Sequence, residues 1–266
     1  MTALCAVSVL LLGACGSDGE DAGDPTSTVD DAGTNASSEL SGKITVSAAA
    51  SLTDAIDQIK ADFEAVNPDT TVTATYDSSG TLSEQILDGA PVDVFASADE
   101  ANMAKLTDED LVAGEPTVFA RNQLAIVTKP GNPEGIETLA DLADVGVVSL
   151  CGEDVPCGTF AQRVLDGAGV AIPETSVTRG QNVKATLTAV TEGDAVAGIV
   201  YVTDALGAAD EAEIVDIAEA DNAVAVYPAA VLADAANVEV AEAFVAYVAS
   251  DEGQAVLREL GFLPPT

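Results

Sequence analysis

Short apolar runs alternate with stretches of helical periodicity along most of the chain. The first run begins at Ile44 and passes through small residues directly into a helical pattern near Ser51. A second, β-rich run covers residues 71–75, and later runs lie at residues 147–150 and 197–201. With 48% hydrophobic residues, the 266-residue chain can bury one large core or two modest ones. Alternating strands and helices of this kind predict an α/β fold.

Turns rich in small and hydroxylated residues join two of these strands to helices. Ser51 with Asp54, and Thr81 with Glu84, have the spacing of a capping box, in which the first residue is the helix N-cap. Because the first backbone N–H groups of a helix lack intrahelical partners and the helix dipole is positive there, such turns can bind an oxyanion. A capping box alone more often only stabilises its helix.

Three further features place possible ligand contacts at strand ends. Turns at residues 151–160 and 181–184 each precede a predicted helix, and the buried strand at residues 197–201 ends in the phenol of Tyr201. Ligands of open α/β sheets bind at the carboxyl ends of strands. We therefore expect these turns and the two earlier ones to converge on one site.

The order of the elements predicts two lobes joined by two crossing segments. Residues 43–121 form most of the first lobe and residues 122–221 form the second, with a strand over residues 119–128 making the first crossing. Residues 222–266 cross back and complete the first lobe, ending in an amphipathic helix over residues 240–257. Two crossings make a hinge, and small-ligand sites are common between hinged lobes.

Composition excludes several classes of function. The chain has no histidine, which removes Ser-His-Asp and Cys-His catalysis and histidine metal ligation. Its formal net charge is −36 with nine Lys and Arg residues, so we expect no nucleic-acid partner. Neutral hydrogen-bond donors act at contact distance, so a cleft lined by them can hold an anion even in an acidic protein.

The N-terminal residues resemble the leader of a bacterial lipoprotein. Residues 3–14 are apolar apart from Ser8 and too few to span a bilayer, and the Leu-Gly-Ala before Cys15 resembles a lipobox, although no Lys or Arg precedes it. We interpret residues 1–15 as a signal peptide and lipobox, with lipid on Cys15, and residues 16–42 as a disordered tether. The protein is then expected outside the cytoplasm, attached to the cell membrane by lipid only.

An extracytoplasmic location also bears on the remaining cysteines. Cys151 and Cys157 would close a short loop in an oxidising compartment, so we expect a disulfide between them. Two free thiols packed beside the turn are the alternative. Two cysteines without histidine make a poor zinc site.

In combination, several segments resemble the molybdate-binding proteins of bacterial ABC transporters, which have the type II periplasmic binding-protein fold. The resemblance covers the chain from Lys43 onward, in the family's order and approximate spacing. The matching segments are residues 43–55, Ser78-Ser79-Gly80-Thr81-Leu82, residues 89–99, Val155-Pro156-Cys157-Gly158, Gly198-Ile199-Val200-Tyr201 and residues 245–262. It implies mixed central sheets flanked by helices, in two lobes that hinge about a cleft.

The resemblance also implies a ligand site made of uncharged donors. Ser51 and Ser79 would donate through hydroxyl and backbone N–H groups, and Tyr201 through its phenol. Cys157 and Val183 would donate through backbone N–H alone, although the family more often has a small residue such as alanine at the position of Cys157. These donors would bind the oxygens of the anion, with no residue bound directly to the metal atom. Without the resemblance, Val183 and Tyr201 are ordinary core or helix-start residues. Because the family's site uses neutral donors, we interpret Arg179 and Lys184, near the same turn, as solvated surface residues.

A site made only of donors indicates the class of ligand. It suits a fully deprotonated tetrahedral dianion, whereas hydrogen phosphate would need an acceptor for its proton. We expect a monomer that needs no cofactor and delivers molybdate or tungstate to an ABC transporter permease; a sulfate or other oxyanion receptor on the same fold is the alternative. An enzyme with Ser79 or Cys157 as nucleophile would lack a histidine base, so no enzymatic activity is expected.

Overall fold

Ten β-strands form two five-stranded sheets in the computed structural model, which describes residues 40–266. The strands are Gly42–Ala49 (β1), Thr70–Asp77 (β2), Val94–Ala96 (β3), Val112–Asn122 (β4), Leu124–Thr128 (β5), Val148–Cys151 (β6), Val177–Gly180 (β7), Ala197–Tyr201 (β8), Glu213–Asp216 (β9) and Ala225–Leu232 (β10). The α-helices are Thr53–Val66 (α1), Ser79–Leu87 (α2), Glu100–Thr107 (α3), Pro156–Ala168 (α4), Val183–Thr191 (α5), Val202–Gly207 (α6), Val238–Ala249 (α7) and Asp251–Glu259 (α8). Short 3-10 helices lie at Ala50–Leu52, Leu139–Ala143, Glu174–Ser176 and Glu219–Asp221. Two mixed sheets flanked by helices confirm the predicted α/β fold class.

The first sheet has the strand order β2-β1-β3-β10-β4. β1 runs parallel to β2 and β3, whereas β10 pairs antiparallel with β3 and β4. The carboxyl ends of β1, β2 and β3 therefore lie at one edge, where the chain enters the Ala50–Leu52 turn, α2 and α3. This sheet and the helices packed on it, α1, α2, α3, α7 and α8, are called the first half below.

The second sheet has the order β7-β6-β8-β5-β9. β6 runs parallel to β7 and β8, and β5 pairs antiparallel with β8 and β9. The carboxyl ends of β6, β7 and β8 lead into α4, α5 and α6, so three helices begin at one edge of this sheet too. This sheet with α4, α5 and α6 is called the second half.

The chain passes between the sheets at Gln123 and returns between β9 and β10. The predicted continuous strand over residues 119–128 is therefore wrong, because β4 and β5 belong to different sheets. The buried Asn122 marks the break: its Oδ1 accepts the N–H of Gln123 at 2.9 Å, and its Nδ2 donates to Thr203 Oγ1 at 2.9 Å. The lobe boundaries at residues 121–122 and 221–222 stay a prediction.

Helix α1 shows how the first core is built. Its buried residues recur at helical spacing and face the sheet, and Phe63 packs edge-on against Phe244 of α7 with ring centres 5.4 Å apart. The predicted single helix over residues 240–257 is wrong, since it is two helices. Ser250 ends α7 and caps α8, accepting the N–H of Gly253 at 3.3 Å, while the apolar pattern continues across the break.

The predicted signal peptide, Cys15 and most of the predicted tether lie outside the described residues. Within residues 40–266, no helix combines the length and the apolar character needed to cross a membrane.

Candidate functional site

A small cavity lies where helix starts of the two halves face each other, and all five residues predicted as ligand contacts line it. Its volume is about 10 Å³. The first half contributes Ala49, Ala50, Ser51, Ser78, Ser79 and Ala98, and the second half contributes Pro156, Cys157, Asn182, Val183 and Tyr201. No Lys, Arg, Asp or Glu is among these lining residues.

Ser51 lines the cavity from the turn after β1, but it does not cap α1 as its capping-box pattern predicted. It lies within the 3-10 helix Ala50–Leu52, and α1 begins only at Thr53, without a side-chain cap. The predicted Ser51–Asp54 capping box is therefore wrong, because the tighter turn is inserted before the α-helix. The buried Ser51 hydroxyl instead lies 3.0 Å from the Tyr227 hydroxyl.

Ser79 is the first residue of α2 and is almost fully buried. The N-cap is Ser78, whose Oγ accepts the N–H of Thr81 at 3.1 Å, so the predicted capping box that starts at Thr81 is wrong. Ser79 Oγ accepts the N–H of Ala98 at 2.9 Å. Because that contact uses the oxygen as an acceptor, the hydroxyl hydrogen stays available to donate into the cavity.

Cys157 stands in the first turn of α4 and forms a disulfide with Cys151, the last residue of β6. The bond ties the strand end to the helix start, across Cα atoms 5.7 Å apart. The next residue must be glycine: a Cβ on Gly158 would lie 1.8 Å from the carbonyl oxygen of Gly152. The cavity wall at α4 is thus packed backbone against backbone.

Val183 opens α5, as the turn at residues 181–184 predicted. Asn182 is the N-cap, and its Oδ1 accepts the N–H of Ala185 at 3.0 Å. The Nδ2 of the same side chain donates to Asp77 Oδ1, in the first half, at 3.0 Å. Val183 is 3% exposed, and the first N–H groups of the helix lack intrahelical partners.

Tyr201 ends β8, as predicted, and it is buried. Its hydroxyl makes no well-directed hydrogen bond to a described residue, although the Tyr227 hydroxyl lies close enough to interact with it. Burial raises the pKa of Tyr201 well above its usual value, with smaller contributions from Tyr227 and Asp99, so the phenol stays protonated. A neutral phenol that lines a cavity can donate a hydrogen bond to a ligand there.

Tyr227, in β10, is the participant that sequence reasoning missed. Its ring lies 5.9 Å from the ring of Tyr201, and its hydroxyl contacts both Ser51 and, at 3.5 Å, Asn122 Nδ2. Burial raises its pKa as well. A tyrosine in a buried strand, beside Pro228, was the available signal, but its partners lie 105 and 176 positions away in the sequence.

Two basic residues near the cavity form ion pairs with carboxylates. Arg179 pairs with Glu174 at 2.8 Å and Glu153 at 3.1 Å. Lys184 pairs with Asp54 of the first half at 3.0 Å and with Asp204 of α6 at 3.2 Å, so its interpretation as a solvated surface residue is wrong.

Asp204 is the buried carboxylate of that group. Neither of its oxygens makes a well-directed hydrogen bond, and burial raises its pKa to about 6 although Lys184 works against the shift. The ion pair with Lys184 is therefore the main compensation for burying this charge.

Comparison with known proteins finds binding proteins both by family model and by sequence identity. Residues 44–263 match the family model described as bacterial extracellular solute-binding protein. The molybdate-binding protein ModA of Mycobacterium tuberculosis is 40% identical over 223 residues, covering 84% of this chain and 85% of that protein. The putative ABC transporter substrate-binding lipoprotein YvgL of Bacillus subtilis is 32% identical over 229 residues, covering 85% and 88%.

A solved structure shares the fold. The periplasmic molybdate-binding protein of Azotobacter vinelandii superimposes with a TM-score of 0.77 at 21% identity, covering 84% of this chain and all of that one. The match to the family model extends over both sheets and every element that lines the cavity. The chain belongs to the bacterial extracellular solute-binding proteins.

Proposed function

We propose that this protein captures molybdate or tungstate in the cavity between its two halves and delivers the anion to an ABC transporter permease. The observation that carries the proposal is the meeting of Ser51, Ser79, Cys157, Val183 and Tyr201 around one cavity. The identity to molybdate-binding relatives supports the same ligand.

The hydrogen-bonding state of the donors supports an anionic ligand. The Ser79 oxygen already accepts a hydrogen bond, so its hydroxyl hydrogen is free to donate, and the Tyr201 hydroxyl has no well-directed partner among the described residues. Helix starts at Cys157 and Val183 add backbone N–H groups. An oxyanion that offers only acceptors satisfies all of these groups at once.

The absence of basic side chains from the lining supports a dianion held by neutral groups. Lys184 lies outside the lining and its charge is shared between Asp54 and Asp204. Donors of this kind bind a deprotonated tetrahedral anion without the acceptor that hydrogen phosphate would need.

The size of the cavity implies movement. A volume of about 10 Å³ is roughly the space that one water molecule requires, so a tetrahedral anion with four oxygens enters only when the walls separate. Because the walls belong to different halves, opening about the two crossing segments admits the anion and closing encloses it.

Delivery follows from the proposed location. Lipid on Cys15 would attach the protein to the membrane from outside the cytoplasm, with residues 16–42 as tether, and the closed monomer would then reach the permease. Transport, with no chemical step and no cofactor, is the whole of the proposed activity.

Isothermal titration calorimetry with molybdate, tungstate, sulfate and phosphate tests the proposal. We expect saturable binding of one molybdate or tungstate per protein, a matching rise in melting temperature, and weaker or no binding of the other two anions. Tighter binding of sulfate would identify a sulfate receptor instead. The absence of heat and of thermal stabilisation with all four would refute oxyanion binding.

A further inference from the structure

The first turn of α5 touches the first half at two points on either side of the cavity. Asn182 Nδ2 donates to Asp77 Oδ1 at 3.0 Å, and Lys184 Nζ pairs with Asp54 Oδ2 at 3.0 Å. Val183 lies between these two residues and lines the cavity. Asn182 lines the cavity as well, so three consecutive residues combine two lining positions with two contacts across the cleft.

The charge of Lys184 is fully engaged at this place. Two carboxylates, one from each half, lie within 3.2 Å of its ammonium group. Burial lowers the pKa of Lys184, but Asp204 and Asp54 outweigh that effect and leave it above the ordinary value. The ammonium therefore remains charged, and it is directed to protein carboxylates.

The two carboxylates differ in what happens when the cleft opens. Asp204 sits on α6 in the same half as Lys184, and its side chain is 0% exposed. Asp54 sits on α1 in the other half, and its side chain is 59% exposed. Opening can therefore break the Asp54 contact without leaving the buried Asp204 unpaired, so the outer contact is the one suited to form and break.

We propose that Asp54, Asp77, Asn182 and Lys184 form an interlobe clasp that holds the cleft closed and sets how long a bound oxyanion stays, without touching the anion. The inference rests on the proposed function for its ligand. These four are positioning residues: they act on the donors of the cavity by keeping the two halves together.

The clasp predicts that losing the Asp54 charge weakens anion binding, whereas simple electrostatics predicts the opposite. Removing the negative charge of Asp54 near an anion site should, by Coulomb's law alone, strengthen the binding of a dianion. If Lys184 were itself a ligand of the anion, freeing it from Asp54 would also strengthen binding. Loss of the clasp instead weakens binding, through faster dissociation.

The test measures molybdate affinity by calorimetry and dissociation by stopped-flow tyrosine fluorescence, since the chain has four tyrosines and no tryptophan. We expect Asp54→Asn to raise the dissociation rate and Kd by about 2- to 5-fold. Lys184→Met is made in an Asp204→Asn background, so that no buried carboxylate loses its partner; there it should have a similar effect, and adding Asp54→Asn should make it little worse. Asp57→Asn and Lys60→Met are matched controls, because that 3.0 Å ion pair lies within α1, and they should leave both values unchanged.

A swap tests the second contact. In Asn182→Asp the carboxylate can still cap α5, but it faces Asp77 with a like charge and adds a negative charge to the cavity lining, so dissociation should accelerate for both reasons. Adding Asp77→Asn restores one donor and one acceptor across the cleft and should recover the part of the rate that is due to the clasp. Recovery by this second change separates a clasp from general damage to the helix.

Small-angle scattering of the anion-free variants separates failure of the clasp from failure of the proposed function. We expect Asp54→Asn to increase the radius of gyration over the wild type. If the wild-type protein bound no anion but the radius of gyration still increased in Asp54→Asn, the proposed ligand would be wrong and the proposed clasp would be supported. Unchanged or tighter anion binding in Asp54→Asn, or an unchanged radius when no anion binds, would overturn the clasp.

Discussion

The two halves of this protein differ in how completely their buried polar side chains are hydrogen-bonded. In the first half, buried serines and Asp93 are hydrogen-bonded, including all three serines that line the cavity. Within residues 40–266, the buried side-chain atoms without a hydrogen bond belong to Ser149, Tyr201 and Asp204, all in the second half. The first half thus presents donors that are already oriented, whereas the second half holds groups that gain most from a ligand or from closure.

The largest expected effect concerns Asp204. Its pKa of about 6 in the folded protein exceeds the usual 3.8, so the folded state binds more protons between these values and stability falls as pH rises through that window. Asp204→Asn should have nearly wild-type stability at pH 4 and exceed it by up to about 3 kcal/mol at pH 7. Urea unfolding across this range measures the difference.

The exposed Asp210 provides the control for that experiment, because Asp210→Asn changes the net charge equally. A stability difference that stays constant with pH, or one that matches Asp210→Asn, would show that the second half does not carry an unfavourable buried charge.

Ser79→Ala examines an oriented donor of the first half. It removes one charge-assisted donor to the anion, so we expect molybdate binding to weaken by about 1 to 3 kcal/mol. It also leaves the N–H of Ala98 without its acceptor, which should lower stability by about 1 kcal/mol. Calorimetry and thermal unfolding measure the two effects.

Ser47→Ala is the matched control for Ser79→Ala, since Ser47 is a buried serine of the same half that contacts Thr75 and lies outside the cavity lining. Equal loss of affinity in both variants would mean that the Ser79 hydroxyl does not contact the anion.

Tyr201→Phe should separate stability from binding in the second half. Because this buried hydroxyl has no well-directed partner, removing it should leave the stability of the anion-free protein unchanged or raise it by up to about 1 kcal/mol, while molybdate binding weakens by about 1 to 2 kcal/mol. A variant that loses stability would indicate that this hydroxyl is satisfied before the anion arrives.

Tyr227→Phe should have the smallest effect. It removes the partner that orients Ser51 without removing a donor from the lining, so we expect a loss in binding of about 0.5 to 1 kcal/mol. Tyr247→Phe, on α7, is the control and should leave the affinity for molybdate unchanged. A loss as large as that in Ser79→Ala would place the Tyr227 hydroxyl in direct contact with the anion.

Much of the fold could be read from the sequence because it depends on local signals. Alternating strands and helices, the turn before Val183 and the strand that ends at Tyr201 are each encoded within about ten neighbouring residues. The same signals placed helix starts near Ser51 and Ser79, although each helix begins at a different residue than its capping pattern suggested.

The remaining features depend on pairings that no local pattern contains. Tyr227 meets Ser51 because β10 runs antiparallel beside β3, and Lys184 meets Asp54 across 130 positions of sequence. Lys184 was interpreted as solvated because a site made of neutral donors gave it no role, and no local pattern indicated its carboxylate partners. The approach of two specific carboxylates could be seen only once both halves were placed.

Gly158 has a consequence for how the protein selects its cargo. Its Cα rests on the carbonyl of Gly152, so the helix start behind Cys157 cannot retreat, and no side-chain exchange on that wall can make room. The radius of an acceptable anion is consequently fixed on this side by main-chain geometry. Variants meant to admit a larger or a smaller tetrahedron should therefore be sought among the side chains of the serine turns opposite, at Ser51, Ser78 and Ser79.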